Sequence, residues 1–362
     1  NGEDLKMSKL RVCVLFGGAS SEHSISEISA AAVLSAIDRD KYEVYQIGIT
    51  KSGKWFLFDG DAEQIRSHDW ENGSITPAIL SPDRGDRAII KLGESGAEKI
   101  KIDVVYPVLH GKCGEDGTIQ GLCELAGLPY VGSGVIGSAA CMDKCIAKIL
   151  FEKAGIPQSD WVEMKVGDKI DYEKIEKRLG YPCFVKPSSA GSSVGVTKAA
   201  NRDELKAGVE LALENDYKVL IEEAIDAREV ECGVMGNLKP VTSAYLGEIM
   251  PAKEFYDFEA KYEDEASKLM IPANIDAETE KKIKEYAISA YKICECRGYS
   301  RVDFFIDRRD GRIILNEINT IPGFTPISMY PKVWEKSGLS MREVIDRHIE
   351  LALSREDYWT AE

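Results

Sequence analysis

The sequence lacks an excess of positive charge, long apolar runs and paired cysteines, and each lack argues against a class of protein. Among its 362 residues, 61 aspartates and glutamates outnumber 46 lysines and arginines, which gives a formal net charge of −15. Non-specific nucleic-acid binding requires a surface rich in lysine and arginine, so we expect no nucleic-acid partner. No segment approaches the roughly 20 apolar residues that cross a bilayer, so we expect no membrane-spanning segment.

Cysteine is present, but without the spacing of a zinc site or a disulfide framework. There are nine cysteines, an odd number, and no C-x-x-C pair; the closest spacings are Cys141/Cys145 and Cys294/Cys296. We therefore expect reduced thiols that pack as small apolar groups. The first ten residues also lack the apolar region of a secretory signal, and together these features predict a cytoplasmic protein.

From its beginning the chain alternates between strand-like and helix-like segments. An apolar run over Leu10–Phe16 ends at two glycines, and the alanine-rich stretch Ser26–Ile37 is typical of a helix. Further strands are predicted at Tyr42–Ile49, Trp55–Phe58 and Val104–Leu109. Such alternation favours an α/β fold with an open parallel sheet. Residues 60–100 are polar and rich in glycine, serine and proline, so we expect a surface excursion there.

The second half of the chain continues this alternation and then becomes richer in strands. A helix is predicted over Met142–Ala154, because Gly155 and Pro157 follow it and such residues end helices. The next strand, helix and strand are predicted at Cys183–Lys186, Arg202–Asn215 and Val219–Glu222. Beyond residue 231 we expect strands first, and then a helix, a hairpin and a terminal helix at 275–296, 301–319 and 340–354.

A loop of small residues follows Lys186 and has the composition of a phosphate site. It reads PSSAGSSVG over residues 187–195 and contains Ser192 and Ser193. Small residues let backbone N–H groups approach phosphate oxygens, and the lysine adds a point charge. The pattern is not the G-x-x-x-x-G-K-[ST] of P-loop proteins. A polar hairpin loop without a ligand remains the alternative on these residues alone.

The predicted hairpin that follows residue 300 carries a possible metal site. Because side chains alternate along a strand, Arg301 and Asp303 share one face, as do Glu317 and Asn319 on the next strand. A three-residue turn would place Asp303 opposite Glu317, whereas a two-residue turn would shift the pairing by one. Facing carboxylates repel unless a cation separates them. Oxygen ligands without histidine or cysteine favour Mg²⁺ or Mn²⁺, and the apolar neighbours disfavour a solvated sheet face.

Four shorter motifs mark further candidate sites, each with a structural alternative. Glu22 lies at a strand-to-helix junction, where it either caps the helix or binds an ammonium group. His110 follows a strand at the end where ligands bind in open α/β sheets, although a single histidine is often structural. The turn Pro322-Gly323 can present N–H groups to an oxyanion or be an ordinary turn. Residues 132–137 match the dinucleotide pattern G-x-G-x-x-G, which is weak as a single match.

Taken in order, these segments resemble the D-alanine–D-alanine ligase family of the ATP-grasp superfamily. The resemblance covers nearly the whole chain, from about Leu10 to Leu353. Each motif is only moderately specific by itself, but seven in order at the family's spacing are highly specific. The seven are LFGGASSEHSIS (15–26), HGKCGEDGTIQG (110–121), MDK (142–144), VKPSSAGSSVG (185–195), EFYDFEAKY (254–262), RVDFF (301–305) and NEINTIPGFT (316–325).

The resemblance implies an α/β, three-domain ATP-grasp fold. The domains would be an N-terminal substrate-binding domain with an open parallel sheet (7–133), a central ATP-grasp subdomain (134–228) and a C-terminal catalytic domain (229–362) with a lid at about 251–272. ATP would lie between the last two domains with two Mg²⁺ or Mn²⁺ ions. One D-alanine would be phosphorylated, and a second would attack the acyl phosphate to give D-alanyl-D-alanine for peptidoglycan synthesis. A homodimer is also implied.

The resemblance also implies roles for individual residues. The matching metal ligands are Asp303, Glu317 and Asn319. The matching nucleotide-binding residues are Lys144, Lys186, Ser193, Glu222, Glu223, Ile225, Glu229, Lys261 and Asn316. Among these, the lysines match phosphate contacts, Glu222, Glu223 and Ile225 match an adenine site, and Glu229 matches a ribose contact. The matching catalytic and substrate-binding residues are Glu22, His110, Ser192, Tyr262, Arg301, Gly323 and Ser328.

Within the last set, the resemblance gives each residue a different partner. Arg301 and the N–H of Gly323 match oxyanion stabilisers, and Ser328 matches the contact to the second carboxylate. Glu22 matches the anchor of the first ammonium group, with His110 nearby. The hydroxyl groups that would link with Glu22 to hold the closed lid are those of Ser192 and Tyr262.

The second subsite departs from the family pattern. Many relatives read Thr-Ser-His-Ser where this chain has Thr325-Pro326-Ile327-Ser328. Relatives that use D-serine carry an arginine at the next position, which is Met329 here. Relatives that use D-lactate replace the lid tract that this chain keeps at Glu259–Tyr262. Elsewhere in the lid, Phe258 replaces a frequent tyrosine and lacks its hydroxyl group. We therefore predict D-alanine at both subsites, with D-alanine–D-serine and D-alanine–D-lactate ligases as alternatives.

Overall fold

Three sheets organise the residues that the computed structural model describes, which are 8–189, 191, 194–250 and 268–355. Helices pack against each sheet, and the predicted α/β class is confirmed. Eight of the nine cysteines are buried, and Cys113 is exposed. No helix in the described part of the chain is both long and apolar enough to cross a membrane.

The first sheet is parallel at one end and antiparallel at the other. Strand β1 (Leu10–Gly17) lies between β2 (Tyr42–Ile49) and β7 (Val104–Pro107) and runs parallel to both. Helix α1 (His23–Ala36) makes the crossover from β1 to β2. The predicted open parallel arrangement holds for these three strands, and β3 (Trp55–Phe58) begins an antiparallel extension beside β2.

The prediction of a surface excursion at residues 60–100 is wrong, because most of this segment belongs to the first sheet. It forms the helix α2 (Ala62–Arg66), a 3₁₀ turn (Trp70–Asn72) and strands β4 (Ile75–Leu80), β5 (Ala88–Gly93) and β6 (Gly96–Lys101). These strands pair antiparallel in the order β3-β4-β5-β6. Strand β6 is the edge and is mostly exposed, so its composition resembles that of a loop. Gly93 and Gly96 lie at the tight turn between β5 and β6.

The helix predicted over Met142–Ala154 is confirmed as α5 (Lys144–Lys153), which begins two residues later than predicted. A separate helix, α4 (Val135–Met142), precedes it and follows α3 (Thr118–Ala126). Between α4 and α5, Asp143 is extended, and its carboxylate accepts the Ile146 N–H at 3.1 Å as an N-cap. This break places Lys144 in the first turn of α5.

The second sheet is antiparallel and carries two helices. Its strands, in the order β10-β9-β11-β8, are β8 (Trp161–Lys165), β9 (Cys183–Pro187), β10 (Thr197–Ala199) and β11 (Lys218–Glu223). Helices α6 (Tyr172–Leu179) and α7 (Arg202–Asn215) pack their apolar residues on this sheet. The core includes Val185, Leu205 and Ile221, all of which are fully buried.

The third sheet is built around two long antiparallel strands, β12 (Ala227–Met235) and β16 (Tyr299–Asp307). The other strands are β13 (Val241–Thr242), β14 (Gly247–Met250), β15 (Lys268–Met270) and β17 (Ile313–Asn319). Helix α8 (Ala277–Ile293) packs on this sheet, and the chain ends in α9 (Met329–Lys336) and α10 (Met341–Leu353). These last helices reach back to the first sheet, where His348 Nδ1 lies 2.7 Å from the Tyr106 hydroxyl.

Candidate active site

A cavity of about 310 Å³ brings most of the predicted site residues together. The predicted residues that line it are Glu22, His110, Lys144, Lys186, Glu222, Glu223, Ile225, Glu229, Arg301, Asn316, Glu317, Asn319, Gly323 and Ser328. They come from the first sheet, the second sheet and the hairpin of the third. Asp303 is 1% exposed and borders the site through its contacts with Arg301 and Asn319. Ser192, Ser193, Lys261, Tyr262 and nearly all of the predicted lid lie outside the described residues.

The hairpin β16–β17 has the predicted pairing but a different turn. Asp303 lies opposite Glu317, and Arg301 lies opposite Asn319, which confirms the predicted register. The turn is one residue longer than predicted, because Asp307 rather than residue 308 pairs with residue 312. A bulge between residues 303 and 304 and residues 315–317 compensates, since Asn316 has no partner across the ladder. Bulges re-aim side chains next to active sites, and both Asn316 and Glu317 line the cavity.

A cluster of carboxylates lies on the face of the hairpin and the neighbouring strand β12. Oxygen atoms of Glu229, Glu231 and Asp303 lie within 4.8 Å of one another. Arg301 donates to both oxygens of Asp303, at 2.8 and 2.7 Å, and its Nε lies 3.2 Å from Glu231. Asn319 donates to Asp303 at 2.8 Å. This all-oxygen donor set fits Mg²⁺ or Mn²⁺ and not a metal that prefers sulfur or nitrogen.

Glu231 is a member of this cluster that the sequence analysis missed. It is 3% exposed and lies directly opposite Asp303 across the β12–β16 ladder. The spacing of Glu229 and Glu231, two residues apart on a strand, was the available signal, because it places both carboxylates on one face. Two glutamates at this spacing usually indicate a solvent-exposed sheet face. Only the pairing of β12 with β16 distinguishes that case from a buried carboxylate cluster.

Lys186 and a second, buried lysine hold the carboxylate of Glu222 from two sides. Lys186 pairs with one oxygen of Glu222, and Lys148 lies 3.0 Å from the other. Ser159 donates to the same carboxylate at 2.7 Å and accepts from Lys148 at 2.8 Å. Burial alone would raise the pKa of Glu222, but the charges of the two lysines lower it well below its usual range. Glu222 is therefore a permanent acceptor on the cavity wall.

The small-residue loop after Lys186 is anchored at its start to Asp143 and Asp216. The Ser188 hydroxyl donates to Asp143 at 2.7 Å, and the Ser189 N–H donates to Asp216 at 2.7 Å. The backbone N–H of Lys144 donates to the Ser188 carbonyl at 2.9 Å. These bonds hold the beginning of the loop beside the first turn of α5. Lys144 and Lys186 line the same cavity, and their positive charge suits an anion.

Glu22 lies on the cavity wall and does not cap helix α1. The residue precedes His23, the first residue of the helix, and its side chain makes no capping hydrogen bond. It is 5% exposed, and its carboxylate lies so close to Gly111 and Gly191 that a Cβ on either residue would collide with it. The capping alternative is therefore wrong. The two glycines leave room for the carboxylate between the first sheet and the loop of the second.

Two residues that follow β7 contact the turn that carries Gly323. Glu115 accepts the Gly111 N–H at 2.7 Å and the Ile321 N–H at 3.2 Å. Burial and the nearby charge of Glu22 raise the pKa of Glu115. His110 lies 3.0 Å from the Ile321 carbonyl, and burial lowers its pKa to about 4. A histidine with this pKa is neutral at physiological pH, so it contributes hydrogen bonds rather than charge.

Ser328 closes the turn at its other end. Its hydroxyl accepts the Thr325 N–H at 3.0 Å and lies 2.8 Å from the Thr325 hydroxyl. The same oxygen would lie 2.9 Å from a Cβ built on Gly323, so the turn leaves little room for a side chain there. Gly323 and Ser328 therefore lie side by side, and both line the cavity.

The G-x-G-x-x-G match at residues 132–137 has a packing role in this structure. A Cβ on Gly132 would contact Tyr299, and a Cβ on Gly137 would lie 2.8 Å from the Glu295 carbonyl. Gly298 also packs directly against the backbone of Gly132. The glycines thus allow two backbone segments to approach closely, and this packing explains them without a bound dinucleotide.

Comparison with known proteins agrees with this architecture over almost the entire chain. A family model described as the D-ala D-ala ligase N-terminus matches residues 11–133, and one described as the D-ala D-ala ligase C-terminus matches residues 150–350. The D-alanine–D-alanine ligase of Ruminiclostridium cellulolyticum is 50% identical over 368 residues, which covers 96% of each chain.

Solved structures give the same result. The VanG D-Ala:D-Ser ligase from Enterococcus faecalis is 42% identical, with a TM-score of 0.87 over 95% of this chain and 100% of that one. The D-alanine–D-alanine ligase from Bacillus anthracis complexed with ATP is 28% identical, with a TM-score of 0.71 over 95% and 97% of the two chains. Both family models and these relatives agree, and the chain belongs to the D-alanine–D-alanine ligase family.

Proposed function

We propose that this protein joins two D-alanines into D-alanyl-D-alanine at the expense of ATP, through an acyl phosphate, for peptidoglycan precursor synthesis. One observation carries the proposal: a single cavity combines two lysines, a cluster of carboxylates and a turn that carries Gly323. These three elements are what phosphoryl transfer to a carboxylate followed by acyl transfer to an amine requires.

In the first step, the protein positions the phosphates of ATP beside the carboxylate of one D-alanine. Lys144 and Lys186 supply positive charge. The adenine would contact Glu222, Glu223 and Ile225, and the ribose would contact Glu229. Divalent cations held by Asp303, Glu317 and Asn319 would supply neutralisation of phosphate charge. Lys186 must exchange its partner Glu222 for a phosphate, and Lys148 keeps Glu222 paired when it does.

In the second step, the amine of the other D-alanine attacks the acyl phosphate. The bond from carbon to nitrogen forms first, and the tetrahedral intermediate then releases inorganic phosphate. Arg301 and the N–H of Gly323 would stabilise its oxyanion, and Ser328 would bind the second carboxylate, since all three residues line the cavity. Glu22 would bind the ammonium group of the first D-alanine. Its carboxylate lies between two glycines and has the charge to pair with that group.

The wall beside Ser328 favours D-alanine as the second substrate. Met329, Ile249 and Leu269 line that side of the cavity, and Met329 packs into the space left by Gly247. An apolar wall accepts a methyl group and offers no hydrogen bond to a hydroxyl group. D-serine remains a second candidate because the solved structure with a TM-score of 0.87 is that of a D-Ala:D-Ser ligase.

The domain organisation, lid and assembly complete the proposal. The three sheets support division into domains 7–133, 134–228 and 229–362. A lid at about 251–272 would exclude water from the acyl phosphate, with Ser192, Tyr262 and Lys261 as its contacts and Ser193 on the phosphates. We also propose a homodimer that functions in the cytoplasm.

Product identification tests the proposed function directly. The purified protein is given ATP, Mg²⁺ and D-alanine with an equal concentration of D-serine or D-lactate, and the products are analysed by mass spectrometry. We expect D-alanyl-D-alanine as the main product, in equal amount to released phosphate, with no phosphate release when D-alanine is omitted. A D-alanyl-D-serine product would identify D-serine as the second substrate. The absence of any D-alanyl product would contradict the ligase function.

A further inference from the structure

The turn that carries Gly323 is held from outside its own sheet. Two backbone groups of Ile321 are fixed by the first sheet, since its N–H donates to Glu115 at 3.2 Å and its carbonyl lies 3.0 Å from His110 Nδ1. The N–H of Phe324 donates to the hydroxyl of Ser29 at 3.2 Å. Gly323 lies between these two held residues. The direction of its own N–H is therefore set by side chains that belong to helix α1 and to the loop after β7.

Ser29 connects the two ends of this arrangement. It lies in the middle of helix α1, is fully buried, and its hydroxyl is 3.0 Å from His110 Nε2 as well as 3.2 Å from the Phe324 nitrogen. The contacts fix the proton positions. Because Nδ1 faces a carbonyl it must carry the proton, so the neutral ring accepts at Nε2. Ser29 then donates to Nε2 and accepts from Phe324, and each polar atom in the chain of contacts has a matched partner.

We propose that Ser29 is a positioning residue for the ligation step: it holds His110 and Phe324 so that the Gly323 N–H faces the oxyanion. The inference deepens the proposed function and rests on it, because it assigns the support of an oxyanion site that the function requires. It also gives His110 a role through the backbone of Ile321 rather than in proton transfer. The support spans three distant segments of the chain, which explains why no local motif contains it.

Substitution of Ser29 with alanine tests the inference, because it removes one hydroxyl group and leaves the volume nearly unchanged. An oxyanion donor acts in the transition state, so its displacement lowers kcat more than it weakens substrate binding. We expect Ser29→Ala to lower kcat about tenfold, since a misplaced donor loses part of what a deleted donor loses. The KM for ATP should stay within about twofold. Binding of a tetrahedral phosphinate analogue of the dipeptide should weaken about tenfold.

A matched control and a second variant separate positioning from a general effect on the fold. Ser35 lies on the same helix, is exposed, and donates only to the Ala31 carbonyl among the described contacts. Ser35→Ala should leave kcat and analogue binding unchanged. His110→Asn keeps a donor near the position of Nδ1 and loses the contact with Ser29. Because Ser29→Ala and His110→Asn remove the same contact, the double variant should lose no more than about twofold beyond the worse single variant.

Each outcome decides the inference. Unchanged kcat in Ser29→Ala, a parallel change in KM for ATP and kcat, or full additivity with His110→Asn would overturn it. If Ser29→Ala does not fold, the kcat and analogue affinity of His110→Asn decide, with normal values contradicting the inference. Failure of the proposed function looks different, because the unmodified protein would then form no D-alanyl-D-alanine at all.

Discussion

Asp303 and Asp307 lie four residues apart on one strand, are equally buried and each pair with arginine, yet their surroundings differ. Each is 1% exposed. Asp307 pairs with Arg309 and Arg312, whose side chains are 62% and 48% exposed, at the turn of the hairpin. Asp303 pairs with Arg301, whose side chain is 15% exposed, and shares its face with two further carboxylates within 4.8 Å. Arg312 also pairs with Asp310 at 2.9 Å, so the charges at the turn are balanced, whereas carboxylates outnumber Arg301 around Asp303 in the middle of the strand.

A third buried carboxylate, that of Glu222, lies in a cluster whose net charge has the opposite sign to that around Asp303. Glu222 is 4% exposed and pairs with two lysines, so positive charge exceeds negative charge there. The three clusters use similar residues and differ in their local sum of charge. The negative cluster suits a divalent cation, the positive cluster suits a phosphate, and the balanced cluster stabilises the turn. Burial of an ion pair by itself therefore does not identify a functional site, but an uneven sum of charge does.

The largest effect is expected from Asp303→Asn, which removes one charge from the negative cluster and keeps its shape. Turnover should fall by more than about a hundredfold, since even outer-shell changes at metal sites cost about 10–100-fold. Affinity for ATP should change much less, because the lysines remain. Steady-state phosphate release and nucleotide titration measure the two quantities. Asp307→Asn is the matched control and should keep turnover within about threefold. Equal losses in both variants would show that the two aspartates do not differ in function.

A smaller effect is expected from Lys148→Met at the positive cluster. Without Lys148, Glu222 depends on Lys186 for its charge compensation and holds that lysine away from phosphate. The KM for ATP should rise about tenfold, which corresponds to a loss of about 1.4 kcal/mol. Kinetics over a range of ATP concentrations provide the test. Lys153→Met, at an exposed position of the same helix, should leave the KM unchanged.

Asp307→Asn should affect stability rather than activity, with a defined pH dependence. Hydrogen bonds from Arg309 lower the pKa of Asp307 far below its ordinary value. A carboxylate with a lowered pKa in the folded state contributes stability above its unfolded pKa, about 3.9, and loses it as pH falls further. The variant should therefore be less stable than the wild type at pH 7, and the difference should shrink below about pH 4. Denaturant unfolding at several pH values measures this difference in the free energy of unfolding. A difference that stays constant with pH would contradict the prediction.

The smallest effect is expected from Arg309→Gln at the balanced cluster. Arg312 still pairs with Asp307 at 3.1 Å, and the Arg309 side chain is largely exposed. Exposed ion pairs contribute about 0–1 kcal/mol, so the free energy of unfolding should change by less than about 1 kcal/mol, with normal turnover. A loss of turnover in this variant would show that the turn acts on catalysis and would remove the distinction between the two aspartates.

Much of the site followed from local sequence patterns. The alternation of Arg301 and Asp303 with Glu317 and Asn319 predicted their pairing, because side-chain direction along a strand has a fixed period. The turn was predicted one residue too short, and the register was still right because the bulge at Asn316 restored it. Two local differences cancelled, and no sequence rule for turns or bulges alone would have revealed either of them.

The missed features depend on contacts between distant segments. Glu231 becomes part of the carboxylate cluster only through pairing with a strand about 70 residues later. Ser29 is a small residue on an apolar helix, and its contacts with His110 and Phe324 exist only in the folded chain. The edge strand β6 was missed for another reason. Its exposure makes polar residues favourable, and composition then no longer distinguishes a strand from a loop.

Manganese binding reports on the carboxylate cluster of Glu229, Glu231 and Asp303 without requiring turnover. Electron paramagnetic resonance would count Mn²⁺ bound to the wild type, Asp303→Asn and Asp307→Asn in the presence of a non-hydrolysable ATP analogue. We expect two tightly bound ions in the wild type and in Asp307→Asn, and a loss of tight binding in Asp303→Asn. Equal binding by all three proteins would contradict this expectation.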